Sequence, residues 1–212
     1  MDSRAMVAEP TVFVVDDDPA MRESLRWLIE SVGLAVETYG TARDFLRAYD
    51  GSRPGCLVLD VRMPGLSGLD LQDELAARRV RLPVIIITGF ADVSMAVRAL
   101  KAGAMDFIEK PFSDQDLLDR IRGAIDTDRS LREEQAEHER ITALLASLTP
   151  REEEVRERVV EGKSNKTIAF ELGLSEKTVE AHRKRVMQKL SAGSLADLIR
   201  LGGLPEEYKG KP

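Results

Sequence analysis

The sequence predicts an α/β domain built on a five-stranded, doubly wound parallel sheet, followed by a small all-α domain. Three observations carry this prediction. Up to about residue 125, short β-branched runs alternate with amphipathic stretches, the pattern of parallel strands joined by right-handed helical crossovers. Beyond Thr127 no strand signal remains. Polar groups stand at the ends of four of the apolar runs, where a doubly wound sheet gathers its chemistry.

The elements follow in order. TVFVV is the first strand, and AMRESLRWLIESV the first helix, opening near Pro19. LAVETY and ARDFLRAY, CLVLD and LDLQDELAARR, PVIIIT and VSMAVRALKAG, then AMDFIEK and DQDLLDRIRGAI give four more strand–helix pairs. The strands read as nearly continuous apolar runs because such a sheet is covered on both faces.

The segment TDRSLREEQAEHERITALLASL contains no Pro or Gly and few apolar anchors, chiefly Leu131, Ile141, Leu144 and Leu145. It reads as a charged helix continuing from the fifth, with a seam too polar for a strong coiled coil. Thr149-Pro150 then starts a new element, with threonine as N-cap, proline at the first helical position and acids in the first turn. PREEEVRERVVE, NKTIAFEL, SEKTVEAHRKRVMQKL and SLADLIRL follow as helices separated by Gly162, Gly173 and Gly193. The expected organisation is a flexible N-terminus (1–9), an α/β domain (10–126), a linker helix (127–146), a helical domain (147–204) and a tail (205–212).

Composition narrows the class. A chain of 212 residues with 43% hydrophobic content can bury a normal core. No apolar run approaches the roughly 18 residues of a membrane span, and MDSRAMVAEP lacks the apolar core of a signal peptide, so a cytoplasmic protein with no membrane partner is expected. The single cysteine, Cys56, excludes a disulfide framework or a cysteine-rich metal site. The net charge of −6 is uneven: 15 Lys+Arg against 21 Asp+Glu up to Asp126, but 13 against 11 from Thr149. The basic excess concentrates in SEKTVEAHRKRVMQKL, so a polyanion is to be sought there.

Asp16, Asp17 and Asp18 close the first strand and Asp60 closes the third. These strands are neighbours at the switch point, so Asp16, Asp17 and Asp60 should share one cleft. Like charges that close raise one another's pKa unless a cation cancels them, and an oxygen-only set without histidine suits Mg²⁺. Thr88 and Lys110 end the fourth and fifth strands. A hydroxyl, an ammonium and Mg²⁺ around one carboxylate are what a phosphoryl group on that carboxylate requires. Taken singly, each residue has an ordinary structural explanation, such as a cap, a turn or a solvated charge. Four strand ends in order point to an acyl-phosphate site.

VVDDD, LDVRMPGLSG, IIITG and FIEKPF, in that order, resemble the receiver domain of two-component response regulators, a flavodoxin-like fold, over residues 10–126. The resemblance implies that Asp60 accepts phosphate from a sensor histidine kinase. Asp16 and Asp17 would hold Mg²⁺ with Asp60 and the backbone carbonyl of Arg62. Thr88 and Phe107 would form a switch pair, Lys110 would contact phosphate, and Lys110-Pro111 would be cis. A phosphatase of the haloacid dehalogenase type also uses a strand-end aspartate, but it needs a second aspartate two positions on, where this chain has Arg62. No enzyme is expected, only slow self-dephosphorylation.

In the C-terminal part, Ser175 can cap a second helix whose apolar stripe, Val179, Val186 and Leu190, faces the core. Its other face carries Lys177, Thr178, Glu180, Ala181 and Lys184, flanked by Arg183 and Arg185, as a helix-turn-helix would present to the major groove. LTPREEEV, GKSNKTIA and LGLSEKTVEAHRKRVMQKL resemble the LuxR-type DNA-binding domain over about residues 147–204, and the whole chain resembles a FixJ-type regulator. That resemblance puts Glu180, Ala181 and Lys184 at bases, and Lys177, Thr178, His182 and Arg183 near phosphates or in support of the helix. It implies promoter DNA and RNA polymerase as partners and activation of transcription. Phosphorylation would favour a homodimer through the fourth helix, fifth strand and fifth helix, with Arg98 and Lys101 opposite Asp106 or Asp114. Rival readings are a receiver that gates a protein partner, which salt dependence would separate from DNA binding, and a regulator indifferent to phosphate, against which the complete acidic site stands.

Overall fold

The computed structural model describes residues 9–89 and 93–202. Residues 1–8 of the N-terminus expected to be flexible and the tail (205–212) lie outside the described residues, as do positions 90–92 after the fourth strand. Five parallel strands, β1 (Thr11–Val15), β2 (Ala35–Tyr39), β3 (Gly55–Asp60), β4 (Val84–Thr88) and β5 (Asp106–Glu109), form one sheet in the order β2-β1-β3-β4-β5. This is the doubly wound topology the alternation predicted.

Strand alternation divides the core into two layers. Phe13, Val15, Leu57, Leu59 and Ile86 point to one face, where α2 (Ala42–Ala48), α3 (Gly68–Ala77) and α4 (Val93–Lys101) cover them with Phe45, Leu71, Leu75 and Ala99. Val12, Val14, Val58, Ile85 and Ile87 point to the other, against Leu25 and Ile29 of α1 (Pro19–Ser31) and Leu117 and Ile121 of α5 (Asp114–Ala146). Burial on both faces is why these strands show no polar alternation. Phe13, Phe45 and Tyr49 make mutual ring contacts 5.0–5.8 Å apart, each pair contributing about 0.5–1.5 kcal/mol beyond its burial.

The charged linker sequence is continuous with the fifth helix: α5 is one helix of 33 residues. The chain divides into two compact units after Glu133. The first unit therefore extends past residue 126, because the next turn of α5 is fastened to the sheet. The buried carboxylate of Asp128 accepts from Gly55 N (2.9 Å) and Arg132 Nε (2.8 Å), and the Arg132 guanidinium reaches the carbonyls of Ser52 (2.8 Å) and Arg53 (2.7 Å).

The second unit contains α6 (Pro150–Val160), α7 (Asn165–Leu172), α8 (Glu176–Lys189) and α9 (Leu195–Gly202) around Val155, Val159, Ile168, Val179, Val186, Leu190 and Leu198. Thr149 caps α6 in a capping box with Glu152, as the Thr-Pro-acid pattern predicted. Gly173 ends α7 in the left-handed conformation, φ 66°, which glycine adopts without strain. Gly193 lies in the break between α8 and α9, as expected, and within that break Ser191 takes a left-handed turn, φ 52°.

Candidate functional site

Asp60 is the last residue of β3, and its loop is built to hold it there. Gly68, the first residue of α3, approaches so closely that a Cβ would lie 2.2 Å from the Asp60 carbonyl oxygen, so only glycine fits. Ser67 caps α3 in a capping box with Asp70, which fixes the far end of the PGLSG loop. These contacts explain the Ser67-Gly68 pair that closes the loop after the carboxylate.

β1 and β3 are adjacent, so Asp16 and Asp60 meet; they are 1% and 6% exposed. The ammonium of Lys110, just after β5, bridges them, 2.9 Å from Asp16 Oδ2 and 2.8 Å from Asp60 Oδ1. Backbone N–H groups take the remaining oxygens: Asp18 N donates to Asp16 Oδ1 (2.8 Å) and Arg62 N to Asp60 Oδ2 (2.7 Å). Lys110 is held by its own N–H donating to the Thr88 carbonyl (2.7 Å), and the Lys110–Pro111 peptide is cis.

One ammonium serves two buried carboxylates. Burial pushes the Asp60 carboxyl above its usual value and Asp16 pushes the same way, while Lys110 and the Arg62 N–H pull down without cancelling the rise. Burial would lower Lys110, yet its bonds to Asp60 and Asp16 leave it raised and charged. Asp60 is thus a more basic, more nucleophilic carboxylate than an exposed one, beside a cation able to take up phosphoryl charge.

The sequence led us to expect Asp16, Asp17 and Asp60 in one cleft. Among the described residues no three acidic, histidine or cysteine side chains come together in that way. Asp17 is exposed, and Lys110 draws Asp16 and Asp60 onto itself. The donor chemistry nonetheless fits a hard divalent cation. All ligand atoms are oxygens, the two buried carboxylates carry one more negative charge than Lys110 cancels, and Asp17 adjoins them. Thr88 is fully buried at the end of β4, and Phe107 of β5 is half-buried against the same apolar layer as Met95. Arg62, where a phosphatase would have its second aspartate, has an exposed side chain.

Of the groups expected at a dimer surface, Arg98 already pairs within the chain with Asp73 (2.9 Å) and Asp70 (3.4 Å), and Asp106 pairs with Arg120. Lys101 and Asp114 are exposed.

On α8, Lys177, Glu180, Ala181 and Lys184 are exposed, opposite the buried Val179 and Val186. Thr178 is engaged at the helix start, its N–H donating to Ser175 Oγ (3.1 Å). Arg183 donates to Asn165 Oδ1 (2.9 Å), tying α8 to the first turn of α7. His182 is half-buried, and its Nδ1 is buried without a hydrogen-bond partner among the described residues. Sequence reasoning missed two supports. Lys189 at the end of α8 donates to Glu152 Oε2 (2.7 Å) and to the Ser147 carbonyl (2.9 Å), and Arg22 of α1 donates to the Asp16 carbonyl (2.8 Å). The acids of the first turn after Thr149 include Glu152, but nothing local marked either cation.

Residues 12–122 match the response regulator receiver domain, and residues 146–201 match the bacterial regulatory proteins of the LuxR family. The chain is a response regulator of the FixJ type. It is 51% identical to Nodulation protein W of Bradyrhizobium diazoefficiens over 90% of this chain and 84% of that protein. It is 44% identical to the transcriptional regulatory protein FixJ of the same organism over 92% of this chain and 96% of that one. Among solved structures, the response regulator StyR superposes with a TM-score of 0.88 at 46% identity, covering 92% of this chain and 98% of StyR. The LuxR-type match decides for DNA binding over a protein-docking role for the helical unit. This FixJ-type regulator belongs to a family of phosphoacceptor transcriptional regulators, whose two domains imply a kinase and DNA as partners. No helix among the described residues is long and apolar enough to cross a membrane.

Proposed function

We propose that this chain is a cytoplasmic, phosphorylation-controlled activator in which Asp60 takes the phosphoryl group of a sensor histidine kinase. The observation that carries the reading is the shared Lys110: two buried carboxylates on one ammonium leave the charge of Asp60 incompletely compensated, beside a cation that could take up phosphoryl charge. An Asp60 oxygen forms the new O–P bond as the N–P bond of the phosphohistidine breaks, and the freed imidazole nitrogen takes a proton from solvent. Mg²⁺ held by Asp16, Asp17, Asp60 and the Arg62 carbonyl would neutralise charge on the phosphoryl oxygens. Lys110 would follow the phosphoryl group away from Asp16, and Thr88 would approach it. Phe107 would then turn further into the apolar layer it already touches, altering the α4–β5–α5 surface.

That surface would pair two receivers, bringing two α8 helices to neighbouring half-sites on promoter DNA in reach of RNA polymerase. Arg98 and Asp106 would first have to exchange their partners within the chain for partners across the dimer. Of the groups proposed for DNA, the exposed Lys184 and Ala181, with Glu180, read bases. Lys177 reaches phosphate, while Thr178, His182 and Arg183 support the helix. Titrating variants on specific and random duplexes at several salt concentrations tests this. Lys184→Ala should cost about 1–3 kcal/mol on the specific site and much less on random DNA. Lys177→Ala should weaken both alike and lower the salt slope by about one. Equal losses for both variants on both duplexes would withdraw the reading role of α8.

A further inference from the structure

Every hydrogen-bonding group of Asp16 has a partner, and the partner on the peptide that joins it to Asp17 is a side chain from α1. The Asp16 N–H donates to the Tyr39 carbonyl (3.2 Å), Oδ1 accepts from Asp18 N and Oδ2 from Lys110. The carbonyl of the Asp16–Asp17 peptide is held by a side chain alone, Nη1 of Arg22 at 2.8 Å. Arg22 stands on the first turns of α1, directly after the acidic run, and is half-buried. Its guanidinium folds back over Gly40, the residue after β2, where a Cβ would lie 3.5 Å from Nη1. The side chain therefore spans from α1 across the end of β2 to the acidic loop instead of reaching into solvent.

We propose that Arg22 is a positioning residue for the divalent-cation site, fixing the plane of the Asp16–Asp17 peptide and through it the direction of the Asp17 carboxylate. A planar peptide transmits the orientation of its carbonyl to the next Cα. Before phosphorylation the Asp16 carboxylate is anchored at both oxygens. Asp17 is the exposed acid, and its aim is set by the peptide Arg22 grips. Guanidinium suits the task because its planar, pre-organised head aims Nη1 at the carbonyl where a flexible ammonium would swivel. The inference rests on the reading of Asp60 as a Mg²⁺-assisted phosphoacceptor.

A cation near a cation site has an opposite, purely electrostatic effect, and the two separate by sign. If Arg22 only repelled Mg²⁺, removing its charge would tighten binding; if it positions Asp17, removal must weaken binding. Calorimetric titration of the full chain with Mg²⁺ reads this directly. Arg22→Met should raise the Mg²⁺ dissociation constant about tenfold, the scale of a lost outer-shell partner. Arg22→Lys should recover part of that loss. Phosphorylation by acetyl phosphate should need correspondingly more Mg²⁺ to reach half of its maximal rate. Tighter or unchanged binding by Arg22→Met, with wild type binding Mg²⁺ normally, overturns the role of Arg22 and leaves the phosphoacceptor reading standing. A wild-type chain that binds no Mg²⁺ and takes no phosphate overturns both.

Discussion

Asp60 in the α/β unit and Glu152 in the helical unit are both buried carboxylates on a lysine less than 3 Å away, yet they end on opposite sides of the ordinary carboxylate range. The Lys189 ammonium, followed by the N–H of Thr149, holds Glu152 down at about 2, more than offsetting burial. Asp60 finishes raised, because burial leads and Asp16 competes for the same ammonium. Glu152 has a cation to itself and a capping box around it. A carboxylate with complete partners is a fastening; one with incomplete partners is kept reactive, and the functional site is where the protein left burial uncompensated.

This contrast can be broken by changing partners, starting with a third buried carboxylate. Asp128 resembles Glu152 in serving one cation that no other carboxylate shares, so Asp128→Ala should be the most costly change, about 3 kcal/mol in urea unfolding, since it leaves the buried Gly55 N–H without its acceptor while Arg132 keeps its two carbonyls. A loss under about 1 kcal/mol would mean that α5 is not fastened there. Glu152→Ala should cost about 1–3 kcal/mol through the lost capping and charged hydrogen bonds. Asp60→Asn should change sign and stabilise by about 1 kcal/mol at neutral pH, because it removes the second buried charge, although the amide oxygen can replace only one of the two acceptor atoms that serve Lys110 and the Arg62 N–H. Destabilisation by Asp60→Asn would show that Asp60 is a fastening after all.

The pH dependences oppose each other as well. The stability Glu152 supplies is complete above its ordinary value of 4.5 and is lost as pH falls toward about 2. The burden Asp60 imposes is complete above its raised folded value and disappears as pH falls to its ordinary value of 3.8. Melting curves of wild type, Glu152→Gln and Asp60→Asn between pH 2 and 7 should therefore converge for the Glu152 variant at the acid end. For the Asp60 variant the gap should close earlier, as the wild-type carboxyl protonates.

How much of this was legible depends on how locally each feature is encoded. The sheet could be read because β-branched runs and amphipathic stretches announce themselves within a dozen residues. The meeting of Asp16, Asp60 and Lys110 could be read because parallel topology forces strand ends together wherever side chains point. Thr149 and Ser175 could be read as caps three residues from their partners. The latch of Asp128 onto Gly55, 73 positions away, could not, nor could Lys189 on Glu152, 37 positions away. Both depend on which way a side chain turns after the elements have packed, and no periodicity records that. Asp17 shows the same limit from the other side: its position was legible, its exposure was not.

The central claim is that Asp60 is where phosphate lands. Intact-protein mass spectrometry after incubation with acetyl phosphate and Mg²⁺, on wild type and Asp60→Asn side by side, tests it most directly. The account predicts a gain of one phosphoryl group on the wild type, reversed by hydroxylamine as an acyl phosphate must be, and none on the variant. A phosphoryl group appearing on Asp60→Asn at the wild-type level would contradict it.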